Sequence, residues 1–596
     1  MTNVNAQKPD ERMSEYIVKR NRGTILRLIK YFGINKTKTF WSLFLAIILN
    51  VAIIMQPLIV MVIIDNYLAP GVFNTYALTG FAGIFLLMVI TANGAGYAQN
   101  IVLRSLGQEI LHKIRTDLFG HIQTMNMSFF DKNASGRILT RVTNDIESLQ
   151  DLYSNVFIMV IRESLLIVGM ITTMFILDPI LALWCLISIP VVLVLMLICR
   201  YFVRRIFIQM KTVLSRIYGY LAENITGMKI IQIFNREKIK FDTFNEMNDE
   251  YFRLGRIDVL LNGLTAPLVT MISNLMIALL IAGFHGNVTA GYLYIGVLFA
   301  FTTYVRQLFD PIASLSEQHT TAQSAFISAD RIFDILDNHD DAEDLTAGTE
   351  LSDVKGSIEF QDVWFAYTEQ NWILKGISFN IEQGKHAAFV GATGCGKSTI
   401  MSLISRFYDI QKGKILIDGK DVRELSLHSL RRNIAMVIQD VFLFTGDIRY
   451  NIRLNNHELK NKHIEEAAKI ANCHDMILAF RDGYLHKVAE RGSDFSLGQR
   501  QLISFARAVA VKPSILILDE ATSNIDSDTE QALQSGLDNY SKDKTLLIIA
   551  HRISTIVNAD VIFVMDKGVI IEEGNHTALM MHEDGVYKKL YTLSQS

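Results

Sequence analysis

With 596 residues, half of them apolar, and a mean hydropathy of +0.25, the chain is too long for one ordinary domain and too apolar to be wholly soluble. Its net charge of −3 says little about partners, and no basic stripe suggests nucleic acid. Four cysteines, Cys185, Cys199, Cys395 and Cys473, lack the paired spacing of a metal site or a disulfide framework.

Residues 1–38 are polar and rich in Lys and Arg, with no signal-peptide pattern. Six apolar stretches follow, at about 41–64, 77–101, 155–177, 179–199, 259–283 and 288–309, each long enough to cross a bilayer. Asp178-Pro179 reads as a tight turn between the third and fourth. Lys and Arg crowd the N-terminal segment and the connections 102–152 and 200–257, and are missing from 65–76, 178 and 284–287. That asymmetry predicts both termini in the cytosol, which an even number of spans satisfies.

Within the two long connections, 104–125 and 211–234 keep helical spacing without proline, so the membrane helices are expected to continue into the cytosol. Residues 129–136 and 222–227 carry the turn chemistry for two reversals that could touch a soluble domain. Polar side chains inside or near the spans are Asn50, Gln56, Arg162, Glu163, Asn262, Asn274 and Arg306. A membrane ionisable group suggests function, but Arg162, Glu163 and Arg306 fall near the cytosolic edge, where they are expected to snorkel. Pro57, Pro190 and Pro267 predict local kinks.

An amphipathic helix over 313–337 leads into an acidic linker, and from 357 onward strands and helices alternate. The expected organisation is a cytosolic segment 1–38, a helical membrane domain 39–325, a linker 326–356 and a soluble α/β domain 357–592.

The soluble domain carries the chemistry. Gly391-Ala392-Thr393-Gly394-Cys395-Gly396-Lys397-Ser398 fits the phosphate-loop pattern G-x-x-x-x-G-K-[ST]. A short buried strand over 386–390 precedes it and a helix over 399–407 follows, the context that separates this motif from an ordinary glycine-rich turn. Its glycines let backbone N–H groups and the helix N-terminus face the phosphates. Lys397 would reach the β- and γ-phosphates and Ser398 would hold Mg²⁺. The apolar run 515–518 ends in Asp519 and Glu520, placing two carboxylates at the sheet edge where the loop opens. Asp519 would bind Mg²⁺ through water, and Glu520 would polarise the attacking water. A second run, 546–550, delivers His551 to the same edge, toward the γ-phosphate. An isolated Asp-Glu is commonly a turn and an isolated His commonly packing; their order and spacing after the loop favour the chemical roles. Cys395, beside Lys397, is expected either to favour its thiolate and react with alkylating agents or to be occluded and inert.

With these residues the chain resembles the ATP-binding cassette (ABC) family, specifically half-transporters of the exporter type, from about residue 20 to the C-terminus. The resemblance implies six transmembrane helices fused to an α/β P-loop nucleotide-binding domain. It makes Tyr367 the residue that stacks on adenine, with Thr399 also at the nucleotide. It makes Gln439 the loop glutamine that shares Mg²⁺ with Ser398 and Asp519, and Ser496-Leu497-Gly498-Gln499-Arg500 the family signature. Asp526 closes the loop after the catalytic Glu520, and Glu490-Arg491-Gly492 resembles the exporter segment that meets the cytosolic reversals, which look like the coupling helices.

In this family each ATP lies between the phosphate loop of one domain and the signature of another, so a second homologous half-transporter is implied. The usual signature is Leu-Ser-Gly-Gly-Gln, and here Leu497 stands where a glycine is usual. Such a change resembles one subunit of heterodimeric bacterial exporters, so a heterodimer is expected over a homodimer, with a partner lacking the carboxylate matching Glu520. The implied activity is ATP-driven efflux of an amphipathic substrate, drug-like or lipid, with an importer or an ATP-gated channel as alternatives. No N-terminal peptidase domain of the bacteriocin-exporter type is expected, and a bacterial inner membrane is the expected location.

Overall fold

The computed structural model describes residues 23–289, 294–368, 371–519, 527–549 and 556–595. Two compact units emerge: 1–121 with 135–337, and 122–134 with 338–596.

The first unit is helical, built on α1 (Lys36–Ile63), α2 (Thr75–Gln123), α3 (Phe157–Leu177), α4 (Pro179–Leu186), α5 (Ser188–Thr226), α6 (Glu237–Thr289) and α7 (Ile295–Leu336). Among the described residues five stretches are long and apolar enough to cross a membrane: Gly23–Leu68, Thr75–Gln123, Ser135–Leu177, Pro179–Thr226 and Glu237–Gly283. The expected sixth span falls on α7, where Arg306, Gln307 and Asp310 interrupt the apolar run; residues 290–293 of its expected start lie outside the described residues. Large apolar side chains such as Leu86, Val168 and Ile176 stand exposed, which suits hydrocarbon rather than water. Met170, Met174, Phe301 and Leu308 form a buried core with Tyr304, whose hydroxyl donates to the Ile54 carbonyl at 2.8 Å. That bond satisfies a polar group which cannot reach water.

The Asp178 turn is as expected. Its carboxylate accepts from the backbone N–H groups of Ile180 and Leu181, with Pro179 in the first helical turn. Pro190 cannot donate to the carbonyl four residues back, that of Leu186, where α4 ends; only Ile187, itself helical at φ −60° and ψ −29°, separates it from α5, so Pro179–Thr226 stays one membrane-length stretch. Glu163 departs from the snorkelling expectation. It is 7% exposed and holds the Arg162 guanidinium at 2.6 Å, while Asn50 donates to the Arg162 carbonyl at 2.9 Å. Neighbouring helices cover it, a feature that residue spacing along one helix does not encode.

Among the described residues the second unit carries two larger sheets and a two-stranded ribbon that pairs Gly446–Asp447 with Lys487–Val488. The strands of the larger sheets are β1 (Ile358–Phe365), β2 (Leu374–Ile381), β3 (His386–Gly391), β4 (Lys412–Ile417), β5 (Lys420–Asp421), β6 (Ile434–Val437), β7 (Ile515–Asp519), β8 (Thr545–Ile549), β9 (Val561–Asp566) and β10 (Val569–Gly574). A four-stranded sheet has the order β2-β1-β4-β5, and a six-stranded sheet the order β10-β9-β3-β8-β7-β6. From β9 to β6 the larger sheet is parallel. Alternate residues of its strands feed two separate cores: Ala387, Phe389, Ile515, Ile517, Leu547 and Ile549 on one face, Ala388, Val390, Leu516, Leu518, Leu546 and Ile548 on the other. Burial on both faces explains why these strands read as unbroken apolar runs. The short helix Met127–Lys132, from the first expected reversal, packs in this second unit.

Candidate nucleotide site

β3 ends at Gly391, and α8 (Lys397–Ile404) begins directly after Gly396, its N-cap at φ 107°. A Cβ on Gly391 would stand 2.2 Å from the Met565 carbonyl oxygen, and one on Gly396 2.6 Å from Leu374 Cδ2. Only glycine fits either place. Relative to the expected helix over 399–407, α8 starts two residues earlier because Gly396 caps it. It ends by Ile404, with Arg406 in the left-handed region at φ 47°.

Lys397 is buried, with Nζ donating to the carbonyls of Gly391 (2.8 Å) and Ala392 (3.0 Å). Folded across the loop in this way, the ammonium braces the loop against its own carbonyl oxygens. Ser398 Oγ donates to Asp519 Oδ1 at 3.3 Å, bringing the loop's hydroxyl to the carboxylate that closes β7. Among the described residues no group of three or more His, Cys, Asp or Glu could hold a metal ion. The Ser398 and Asp519 oxygens are instead the few hard ligands that Mg²⁺ accepts beside water and phosphate, so the residues present fit that ion.

Val437 of β6 pairs with Leu518, which puts the exposed Gln439, two residues further on, at the same strand ends as Asp519. Glu520, Asp526 and His551 lie outside the described residues. The edge they follow is described: Ile549 pairs with Asp519 on one side and Phe389 on the other. Tyr367 has its hydroxyl 3.2 Å from Thr399 Oγ1, and Thr399 itself is buried in α8.

The signature opens α9 (Leu497–Ala510) through a reciprocal cap. Ser496 Oγ accepts from Gln499 N at 3.2 Å, and Gln499 Oε1 accepts from Ser496 N at 2.9 Å. Gly498 is buried and Leu497 half-buried. Among the described residues no hydrogen bond joins this group to the phosphate loop.

Arg507 and Asn451 escaped the sequence reading. Arg507 reaches from α9 to the Asn451 carbonyl (2.8 Å), the Asn451 side-chain oxygen (3.2 Å) and the Phe442 carbonyl (3.1 Å). Burial pushes its guanidinium down to about 10. Asn451 is fully buried and also brackets both backbone groups of Phe444. Together they tie the signature helix to the stretch just after Gln439. An arginine within an otherwise apolar helix segment was the available signal.

Cys395 resolves toward occlusion. Its side chain is 4% exposed, with Sγ 3.8 Å from Lys397 Nζ. Brief maleimide treatment of the native protein is therefore expected to leave Cys395 unmodified, as read by peptide mass spectrometry, with full labelling only after denaturation. Rapid complete labelling of the native protein would contradict this.

The chain matches two family descriptions: "ABC transporter transmembrane region" over residues 39–312 and "ABC transporter" over 374–523. A Bacillus subtilis protein named "Probable multidrug resistance ABC transporter ATP-binding/permease protein YheH" is 39% identical over 84% of this chain and 74% of its own length. The "ATP-dependent lipid A-core flippase" of Syntrophus aciditrophicus is 36% identical over 85% of this chain and 84% of its own. A "Fatty acid ABC transporter ATP-binding/permease protein" of Mycobacterium tuberculosis is 35% identical over 83% and 78%. These names give no footing to the importer or gated-channel alternatives. Several apolar helices make the chain a multi-pass membrane protein, and a phosphate loop, a strand-end carboxylate and a capped signature helix share its second unit. The chain belongs to the ABC transporter family, as a half-transporter of the exporter type that couples ATP hydrolysis to efflux.

Proposed function

We propose that the chain exports an amphipathic molecule, drug-like or lipid, across a bacterial inner membrane as one half of a dimer, with both termini and the nucleotide domain in the cytosol. Six spans meet that topology, the sixth supplied by α7. The observation that carries the reading is the 3.3 Å contact of Ser398 with Asp519 at the mouth of a glycine-built phosphate loop. Drug, lipid and fatty-acid transport in the names of similar proteins supports the substrate class.

In this reading Tyr367 stacks on the base, while Lys397 and the loop N–H groups of 392–399 hold the phosphates. Ser398, Gln439 and Asp519 hold Mg²⁺, which when bound neutralises charge on the β- and γ-phosphates. Glu520 orients the attacking water and takes its proton; His551 contacts the γ-phosphate and Asp526 follows in the same loop. Ser496, Gly498 and Gln499 face the nucleotide bound by the partner, where the α9 N-terminus favours negative charge.

A heterodimer follows from Leu497. Its side chain stands where the backbone approaches the partner's nucleotide, so the site completed by this signature is the weaker one. The chain's own loop and Asp519 make the stronger site with a partner whose signature has glycine there. Expressed alone, the chain is expected to show little amphiphile-stimulated ATPase activity, and co-expression with a homologous half-transporter is expected to restore it. A stable, fully stimulated dimer of this chain alone would reject the heterodimer.

A further inference from the structure

The helix Met127–Lys132 lies between two long membrane-unit segments in sequence, yet it packs in the same compact unit as the phosphate loop. Asn126 caps it, its side-chain oxygen accepting from Phe129 N at 2.9 Å. At its far end Asp131 accepts a 2.6 Å hydrogen bond from the Tyr408 hydroxyl. Tyr408 comes four residues after the end of α8, and its ring meets Tyr367 edge to face, with centroids 5.0 Å apart and planes at 88°. Tyr367 is 47% exposed; among the described residues its other contacts are the edge of Phe365, at 4.9 Å between centroids, and the 3.2 Å approach to Thr399 Oγ1. Asp131, Tyr408 and Tyr367 all line one cavity of about 750 Å³.

These contacts form a path from a segment continuous with the membrane helices to the residue read as the base platform. We propose that Asp131 and Tyr408 are a positioning pair: their hydrogen bond fixes the Tyr408 ring, which holds Tyr367 in the orientation that receives the nucleobase. Nucleobase affinity then depends on where the first cytosolic reversal sits. Neither residue is assigned a contact with the nucleotide. An exposed aromatic ring held by edge contacts alone has little to fix its tilt, whereas a phenol bonded to a carboxylate cannot rotate without losing a charge-assisted hydrogen bond. Burial, followed by the Asp131 contact, pushes the Tyr408 hydroxyl well above its ordinary range, so it stays protonated as the donor. The proposal rests on reading Tyr367 as the base-stacking residue.

The test uses the full-length chain in lipid nanodiscs, with its partner half-transporter if one is required. Equilibrium binding of the non-hydrolysable β,γ-imido analogue of ATP is compared with binding of inorganic tripolyphosphate, which engages the phosphate loop but has no base. Tyr408→Phe keeps the ring and loses the bond. It is expected to weaken the ATP analogue by about threefold to tenfold, the scale of one lost aromatic restraint, and to leave tripolyphosphate unchanged. Asp131→Ala is expected to match it, the double variant to be no worse than either single one, and Asp131→Asn, which keeps an acceptor oxygen, to stay within about twofold of the parent. Equal weakening of both ligands, additive effects in the double variant, or unchanged analogue affinity in Tyr408→Phe and Asp131→Ala would each overturn the pair. Tyr367→Ala separates the two levels. If it weakens the analogue while the pair variants do not, only the pair is wrong; if it has no effect, the base-stacking reading falls and the pair with it.

Discussion

Glu520→Gln is expected to leave ATP binding intact and to slow hydrolysis by about 10²–10⁴, the range associated with losing a general base or one transition-state group. The substitution is nearly isosteric and removes the charge, so the water loses its proton acceptor while the phosphate contacts survive. Glu520 itself lies outside the described residues, but Asp519, its neighbour in sequence, closes β7 and accepts from Ser398 Oγ at 3.3 Å, which places the described strand end at the phosphate loop. Single-turnover hydrolysis and nucleotide binding, measured separately, check it. Turnover close to that of the parent would remove Glu520 from the chemistry.

Lys397→Ala is expected to act on binding instead. A hydrogen bond to a charged group contributes about 1.5–3 kcal/mol, so nucleotide affinity should fall roughly tenfold to a hundredfold. The structure adds a second cause. Lys397 Nζ bonds the carbonyls of Gly391 and Ala392, so the variant also leaves the loop without its internal brace. Equilibrium nucleotide binding decides the matter, and unchanged affinity would place Lys397 outside the site. The two variants differ in signature: one binds and does not turn over, the other turns over what little it binds.

The legible parts of this chain are those whose chemistry is local. Three glycines, a lysine and a serine at fixed spacing need one backbone shape, and Gly391 and Gly396 sit where a Cβ has no room. The apolar runs ending at Asp519 and Ile549 were readable as strands because both of their faces are buried. Contacts made across the sequence were not readable. The burial of Glu163 depends on the helices packed against α3. The bond from Tyr408 to Asp131 joins residues 277 apart, and Arg507 reaches 56 residues back to Asn451. The expected sixth span is the weakest of the six, since Arg306 and Asp310 dilute the apolar stretch on α7.

ATP hydrolysis at this site is expected to drive an amphipathic molecule outward. Sealed inside-out vesicles containing this chain and its partner half-transporter show whether it does, with uptake of a panel of fluorescent drug-like amphiphiles and labelled lipids followed after ATP addition. Accumulation of at least one of them is expected with ATP, with none from the β,γ-imido analogue or from Glu520→Gln. ATP hydrolysis without accumulation of any member, or ATP-driven depletion from the vesicle interior, would contradict it.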